Sequence, residues 1–203
     1  MSSKEFKMNA LNRIKFNLLN VFIFCIVYFS FYLITFQVIY YFDFYSIEVE
    51  KLCLIIYCFL TILLGFGNKN YFLKIARNEV TSCKELFIHS NNFLLYFIMI
   101  FLFSLFVSLW SLLFVIPGII AYLAYSMIFY IKIDNPGMKL LDVFKRSKLI
   151  MKGNKTNLLC LFFSFIGWFI LSLFTYGFLI IFIYPYMQIS FALFYDKIKN
   201  NIK

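Results

Sequence analysis

The sequence predicts an all-α integral membrane protein, a helical bundle with about six transmembrane helices and short amphipathic helices on its cytoplasmic side. The chain has 203 residues, of which 64% are hydrophobic and 14% are charged. Soluble domains are about 45–50% apolar and about 25% charged. Four long apolar runs contain no charged residue, and the segments between them are mostly basic. This alternation is typical of a membrane protein with cytoplasmic lysines.

The apolar runs have the lengths of one or two membrane helices. A spanning helix needs about 20 apolar residues. The two shorter runs each predict one helix, and the two longer runs, with 39 and 38 residues, each predict two. Lys51 and Lys69 flank the shortest run and are expected to extend toward the headgroups. The four runs are Phe16–Phe42, Leu52–Gly67, Phe93–Ile131 and Leu158–Tyr195.

The basic residues predict the orientation. With six helices and a cytoplasmic N-terminus, four segments are cytoplasmic, and they hold 18 of the 19 Lys and Arg residues; Lys51 is the exception. The positive-inside rule therefore predicts that both termini are cytoplasmic. We expect Phe16–Phe42 to be an uncleaved first membrane helix. The frequent Phe, Ile, Lys, Asn and Tyr residues indicate an AT-rich bacterial genome, so the predicted location is the bacterial plasma membrane, with multiple passes.

Catalytic and metal-binding residues are not predicted. The four apolar runs contain no Asp, Glu, Lys, Arg or His, which are the residues that usually mark function inside a membrane. The single histidine, His89, is expected to be a surface residue. The five cysteines show no CxxC spacing, so neither a disulfide framework nor a zinc site is expected. The net charge of +10 lies in short segments between apolar runs, which argues against a nucleic-acid partner. No cofactor is predicted.

Proline and glycine residues mark the reversals in the two long runs. Pro117 removes a backbone donor and Gly118 tolerates tight turns, so this pair predicts a helix break or turn inside Phe93–Ile131. The alternative is a broken helix that lines a cavity. Gly177 and Pro185 are the corresponding break or turn residues of the second long run.

Two cytoplasmic segments carry helix signals. Ser82 and Glu85 form a capping box for one short helix. In the other segment Asp134 or Asn135 is expected to cap a basic amphipathic helix that ends near Gly153. We expect this helix to lie on anionic lipids of the inner leaflet, with docking of a cytoplasmic partner as the alternative. The residues expected at this contact are Lys139, Lys145, Arg146, Lys148 and Lys152.

A weak internal repeat and a serine stripe complete the pattern. The repeat has two copies, residues 68–131 and residues 132–196, and each contains an amphipathic segment and an apolar hairpin. Residues 1–67 are then a two-helix addition at the N-terminus. The whole chain, residues 1–203, is predicted to be a single transmembrane domain. Ser104, Ser108 and Ser111 lie along one side of the third helix, where small residues allow close helix packing.

Several stretches together resemble a known family. The chain looks like the bacterial multipass membrane family labelled domain of unknown function 975, and the resemblance covers most of residues 65–196. It is distantly similar to the membrane domain found beside some glycerophosphodiesterases. Asn78 stands where a glycine is usual after the arginine. The resemblance implies a six-helix membrane fold and brings no established activity. The stretches are SLWSLLFVIPGIIAYLAYSMIFYIKIDNP (Ser108–Pro136), RSKLIMKGNK (Arg146–Lys155), SFIGWFILS (Ser164–Ser172), YPYMQISFALFYD (Tyr184–Asp196) and ARNEVTSCKELF (Ala76–Phe87).

The sequence therefore favours a non-enzymatic envelope component over a transporter. The expected role is structural, regulatory or protective, through binding of lipid, of another membrane protein or of a second copy. The alternative is a transporter or export component with a site between the hairpins near Pro117 and Pro185, because Gly/Pro-interrupted helices often meet at such sites.

Overall fold

The described residues form an all-α bundle. The computed structural model describes residues 3–42, 47–79, 81, 93–175 and 177–199, and within them it contains helices and turns but no strand. The predicted capping box at Ser82 and Glu85 and the predicted surface residue His89 lie outside these ranges. The helices are α1 Ser3–Phe16, α2 Leu18–Phe42, α3 Ile47–Ala76, α4 Phe93–Leu113, α5 Val115–Tyr125, α6 Ile128–Asp134, α7 Leu140–Ile150, α8 Lys155–Phe163, α9 Ile166–Phe174 and α10 Ile180–Ile198.

Three helical segments are long and apolar enough to cross a bilayer. They are α4, the continuous pair α5–α6 and the pair α8–α9. A fourth is counted if α1 and the first half of α2, which meet at an angle of 93°, are one span. These figures concern the described residues, and by length and composition they support three or four spans. The count of six stays a prediction.

The core lies toward the ends of α3, α6 and α10. α3 occupies the centre, in contact with α1, α2, α4, α6 and α10. Aromatic rings fill the contacts: Phe24 of α2 stacks on Tyr71 of α3 with ring centroids 3.8 Å apart, and Tyr130 of α6 stacks on Tyr195 of α10 at 5.3 Å. α4, in contrast, is largely exposed, and only 11% of its apolar span is buried. This contrast is typical of a bundle whose outer helices face lipid.

The chain reverses between α4 and α5 at Phe114, three residues before Pro117. Phe114 is extended, with φ −161° and ψ 152°. Pro117 occupies the first turn of α5, where its missing N–H would have had no helical partner in any case. The Pro-Gly pair therefore begins a helix and is not itself the turn. The second long run reverses at Gly177, whose φ of +83° suits a glycine, and α10 continues through Pro185.

α7 is amphipathic, and its apolar side packs on protein. Phe144 packs against the rings of Phe106 and Tyr125, whose centroids are 5.6 and 5.5 Å away. Ser147 donates a hydrogen bond of 2.8 Å to the carbonyl oxygen of Ala124, close to the end of α5. The buried face of α7 is thus covered by the bundle itself, and its basic side remains exposed.

Candidate functional site

Four charged side chains meet where α3, α6 and α10 end. We call Arg77, Asp134, Asp196 and Lys199 the charge cluster. Arg77 lies 2.8 Å from Asp134 and 2.7 Å from Asp196. Lys199 lies 2.7 Å from Asp196 and 3.3 Å from Asp134. Two cations and two carboxylates give a net charge of zero, and the cluster ties the ends of three helices together.

A helix cap holds Arg77 in place. The N–H of Glu79 donates to the carbonyl of Lys74, and the N–H of Asn78 donates to the carbonyl of Ile75, each at 3.0 Å. These two bonds define a Schellman motif. Asn78 has the left-handed φ of +60° that the motif requires. The motif stops α3 one residue before Arg77 and leaves the guanidinium beside α6 and α10.

The carboxylates raise the pKa of Arg77. Burial acts in the opposite direction and is the largest single influence, because it disfavours the charged form. The hydrogen bonds and charges of Asp196 and Asp134 together outweigh it, so the pKa lies above its ordinary value. Arg77 therefore stays charged at every physiological pH and serves as a permanent bridge between the two carboxylates.

A second group of polar side chains lies deeper in the bundle. We call Asn68, Lys69, Tyr130, Tyr184 and Gln188 the lysine site. Lys69 precedes Arg77 by eight residues of helix, or about 12 Å. Its ammonium donates to the amide oxygen of Gln188 at 2.8 Å and lies 5.4 Å from the centre of the Tyr130 ring. Asn68 is hydrogen-bonded to the hydroxyl of Tyr184.

The two groups are connected through stacked tyrosines. The hydroxyl of Tyr195 donates to Asp134 at 3.0 Å, and the Tyr195 ring stacks on Tyr130, which in turn lies under the Lys69 ammonium. Contacts of the Tyr195 and Tyr130 rings therefore link the charge cluster to the lysine site.

Sequence reasoning missed both groups. The prediction that Asp134 or Asn135 caps the basic helix is wrong: α7 begins at Leu140 with Lys139 at its N-cap, and Asp134 pairs with Arg77. Asn135 donates to the carbonyl of Ile131 in α6. Lys69 was expected to extend toward the headgroups, but α3 continues to Ala76 and Lys69 contacts α10. The helical pattern continues past Gly67 in the sequence, and this continuation indicates that Lys69 lies within α3.

The basic residues predicted to contact the inner leaflet are exposed. They share one face of α7 and its flanks with Leu141 and Leu149, whose exposed fractions are 65% and 60%. Among the ion pairs that the described residues form, only the distant contact of Lys145 with Asp142, at 3.9 Å, involves this face. The exposed basic residues are Lys139, Lys145, Arg146, Lys148 and Lys152.

The structure places the three serines of α4 and the two predicted break residues, Pro117 and Pro185, in separate parts of the bundle. Ser104 and Ser108 are exposed, and their hydroxyls donate to carbonyls of α4 itself. Ser111 lies against Gly118, where a Cβ on the glycine would be 2.9 Å from the Cα of Ser111. Pro117, the residue before Gly118, lies in the first turn of α5, just after the α4–α5 reversal. Pro185 is buried in α10 next to Tyr184 of the lysine site.

The described residues contain no group of three or more His, Cys, Asp or Glu side chains that could hold a metal ion. Cys25 is buried and Cys160 is exposed, and both are free thiols. The interactions at the charge cluster and the lysine site include ion pairs, hydrogen bonds and a contact of an ammonium with an aromatic ring.

Comparison with known proteins gives a family match over the C-terminal part of the chain. Neither the curated proteins nor the solved structures gave a match. The similarity to the glycerophosphodiesterase membrane domain, and the part of the family resemblance that lies before residue 112, stay predictions. The match includes Asp134, Gln188, Asp196 and Lys199 and begins after Arg77 and Lys69. Residues 112–202 are similar to the family described as "Protein of unknown function (DUF975)", which confirms the family resemblance over this part of the chain.

Proposed function

We propose that this chain is a multipass protein of the bacterial plasma membrane that crosses the bilayer six times with both termini cytoplasmic. In this proposal it acts without catalysis, as a structural, regulatory or protective component of the envelope that binds lipid or another membrane protein. The observation that carries the proposal is the gathering of the basic segments at one end of an otherwise apolar bundle.

Contacts among the described residues support that gathering. The charge cluster brings together the segments that follow α3, α6 and α10. α1 joins them, because Phe6 packs on Phe194 with ring centroids 5.5 Å apart and Lys7 donates to the carbonyl of Ser164 at 2.6 Å. Lysine-rich segments on one side are the expected arrangement for a cytoplasmic face. The α4–α5 reversal at Phe114 lies in a stretch, Phe93–Ile131, that contains no charged residue.

The lengths of the helices are compatible with six spans. α2 has 25 residues and α3 has 30, both above the roughly 20 that a bilayer requires. α4 and the pair α5–α6 form one hairpin, and the pair α8–α9 with α10 forms another. In this arrangement α1 lies at the inner surface as an interfacial helix, since it meets α2 at 93°.

Cysteine labelling in intact cells tests the topology. Single cysteines replace Phe114 and Lys152 in a cysteine-free background, and a membrane-impermeant thiol reagent is added before and after the cells are opened. We expect Phe114→Cys to react in intact cells and Lys152→Cys to react only in opened cells. Reaction of Lys152→Cys in intact cells would contradict the proposed orientation.

Transport is the second candidate function, and the lysine site is the observation that favours it. Polar groups inside a bundle often mark a substrate path. Labelling of Ser104→Cys, which lies well inside α4, separates the candidates. Reaction at this position in intact cells would indicate a water-filled path and favour transport, whereas protection would favour a closed bundle that binds lipid or protein.

A further inference from the structure

We propose that the lysine site binds one oxyanion, of the phosphate type, inside the bundle. The group would come from the headgroup of an anionic lipid or from free phosphate. This inference rests on the proposed membrane location, and it adds a site and a ligand class to the proposed binding role.

The hydrogen-bond donors of Lys69 point to an anion. An ammonium group carries three donors, and Gln188 accepts one of them at 2.8 Å. The Tyr130 ring offers its face at 5.4 Å. Among the described residues no carboxylate pairs with Lys69. A charged group that is partly buried among neutral partners is unfavourable unless an opposite charge reaches it.

A second, independent observation concerns Tyr130, whose ring faces the Lys69 ammonium. The hydroxyl of Tyr130 is buried without a hydrogen-bond partner, and only 1% of the Tyr130 side chain is exposed. A buried polar group without a partner calls for an explanation. The ring that carries this hydroxyl has its centroid 5.4 Å from the Lys69 ammonium, and an oxyanion accepts hydrogen bonds from both kinds of donor.

The charge cluster does not supply the missing negative charge. Arg77 and Lys199 already balance the carboxylates of Asp134 and Asp196, at distances between 2.7 and 3.3 Å. Lys69 therefore adds one unbalanced positive charge to the interior. The side chain of Lys69 also keeps partial exposure, whereas Asn68 and Gln188 are buried. An anion can reach the site along this exposed part of Lys69.

Thermal unfolding of the purified full-length protein in a neutral detergent tests the site. Short-chain phosphatidylglycerol and inorganic phosphate are titrated separately, and the rise in Tm reports binding. Lys69→Met should weaken the response by about tenfold or more, the size of a lost hydrogen bond to a charged group. Lys51→Gln removes an exposed lysine near the start of α3, outside both the lysine site and the basic face of α7, and should respond like the wild type.

Gln188→Glu provides the sharpest variant. It places a carboxylate oxygen where the amide oxygen now accepts from Lys69, so the ammonium gains an internal counterion. We expect a higher Tm without ligand and loss of the ligand response. If Lys69→Met does not fold, Lys69→Arg, which keeps the charge, should retain the response while Gln188→Glu loses it.

The outcomes separate the two sources of the anion. A response to the lipid alone supports the site with a lipid headgroup as ligand, and a response to inorganic phosphate supports it with a free anion. The inference is wrong if neither ligand raises the Tm of the wild type, or if Gln188→Glu and Lys69→Met respond as the wild type does. Failure here leaves the cysteine-labelling result, and with it the proposed function, unaffected.

Discussion

Arg77 donates from Nη2 to Oδ1 of Asp196 at 2.7 Å and from Nε to both carboxylate oxygens at 3.1 Å. This is a bidentate contact between the end of α3 and the end of α10, which are 119 residues apart in the sequence. Bidentate Arg–carboxylate pairs add geometric specificity as well as energy. The contact therefore sets how the central helix meets the last helix.

The first prediction concerns Arg77→Ala. The variant leaves Asp134 and Asp196 with only Lys199 as a positive neighbour. The Arg77 and Asp196 side chains are 26% and 22% exposed, between the exposed and buried cases, so we expect a loss of about 1–3 kcal/mol in the free energy of unfolding. Denaturation in detergent measures it.

Lys145→Ala is the matched control for Arg77→Ala. Lys145 lies 3.9 Å from Asp142, and both side chains are mostly exposed. We expect a change below about 0.5 kcal/mol. Equal losses for the two variants would show that the charge cluster adds nothing beyond an ordinary surface ion pair.

Apolar patterning predicted the helices well and their junctions less well. The run Phe93–Ile131 does contain two antiparallel helices, as its length indicated. Pro117 and Gly118 predict a reversal with the pair near the end of the third helix or the start of the fourth, because proline disfavours helix for the residue before it. Proline is also common in the first turn of a helix. The same residue therefore indicates either a chain reversal or the start of a helix. The extended backbone of Phe114 shows that the chain turns three residues before Pro117.

The charge cluster and the lysine site could not be predicted from local patterns. Arg77 contacts Asp134 and Asp196 across 57 and 119 residues, and this proximity results from packing of the helices. A charge at the end of an apolar run indicates a membrane boundary, and it does not indicate its partner. Lys69 follows the run that ends at Gly67, so hydropathy alone places it outside the bundle, whereas α3 continues for nine more residues.

The second prediction concerns Gly118→Ala. A Cβ at this position would lie 2.9 Å from the Cα of Ser111, and backbone atoms cannot move aside without separating α4 from α5. We expect a loss of about 1–3 kcal/mol, the usual effect of overpacking. Fluorescence of Trp110, four residues before the reversal, follows thermal unfolding of this hairpin.

Gly65→Ala provides the comparison for Gly118→Ala. Gly65 lies inside α3, and a Cβ there would meet no atom within 4 Å. Alanine favours helix over glycine by up to about 1 kcal/mol, so this variant should be neutral or slightly more stable. A loss at Gly65 similar to that at Gly118 would mean that close helix approach is not the reason for the glycine at 118.

The third prediction concerns Asn78, which has a left-handed φ of +60°. Such a conformation costs most L-residues about 1–2 kcal/mol, whereas glycine and, to a lesser extent, asparagine tolerate it. We expect Asn78→Gly to be at least as stable as the wild type and Asn78→Ala to lose about 1 kcal/mol. Chemical denaturation of the two variants side by side measures the difference, and a more stable alanine variant would contradict the role of the Schellman motif.

The last prediction concerns the basic face of α7. Each lysine near an anionic leaflet contributes about 1 kcal/mol of attraction, which salt screens. The apolar side of α7 is already covered by the bundle, so removing charge should change the surrounding lipids and leave the helix in place. We expect the combined variant Lys145→Gln, Lys148→Gln, Lys152→Gln to lose the salt-sensitive enrichment of phosphatidylglycerol in extracted membrane discs, measured by lipid mass spectrometry.

A charge-conserving variant separates charge from side-chain identity at this face. Arginine at the same three positions should preserve the enrichment, because the attraction depends on positive charge near the surface. Circular dichroism should show equal helix content in all three proteins, since Phe144 and Ser147 hold α7 to α5 without any of the lysines. Enrichment that survives in the glutamine variant would place the lipid-attracting surface on other basic segments, such as α1 or the end of α10.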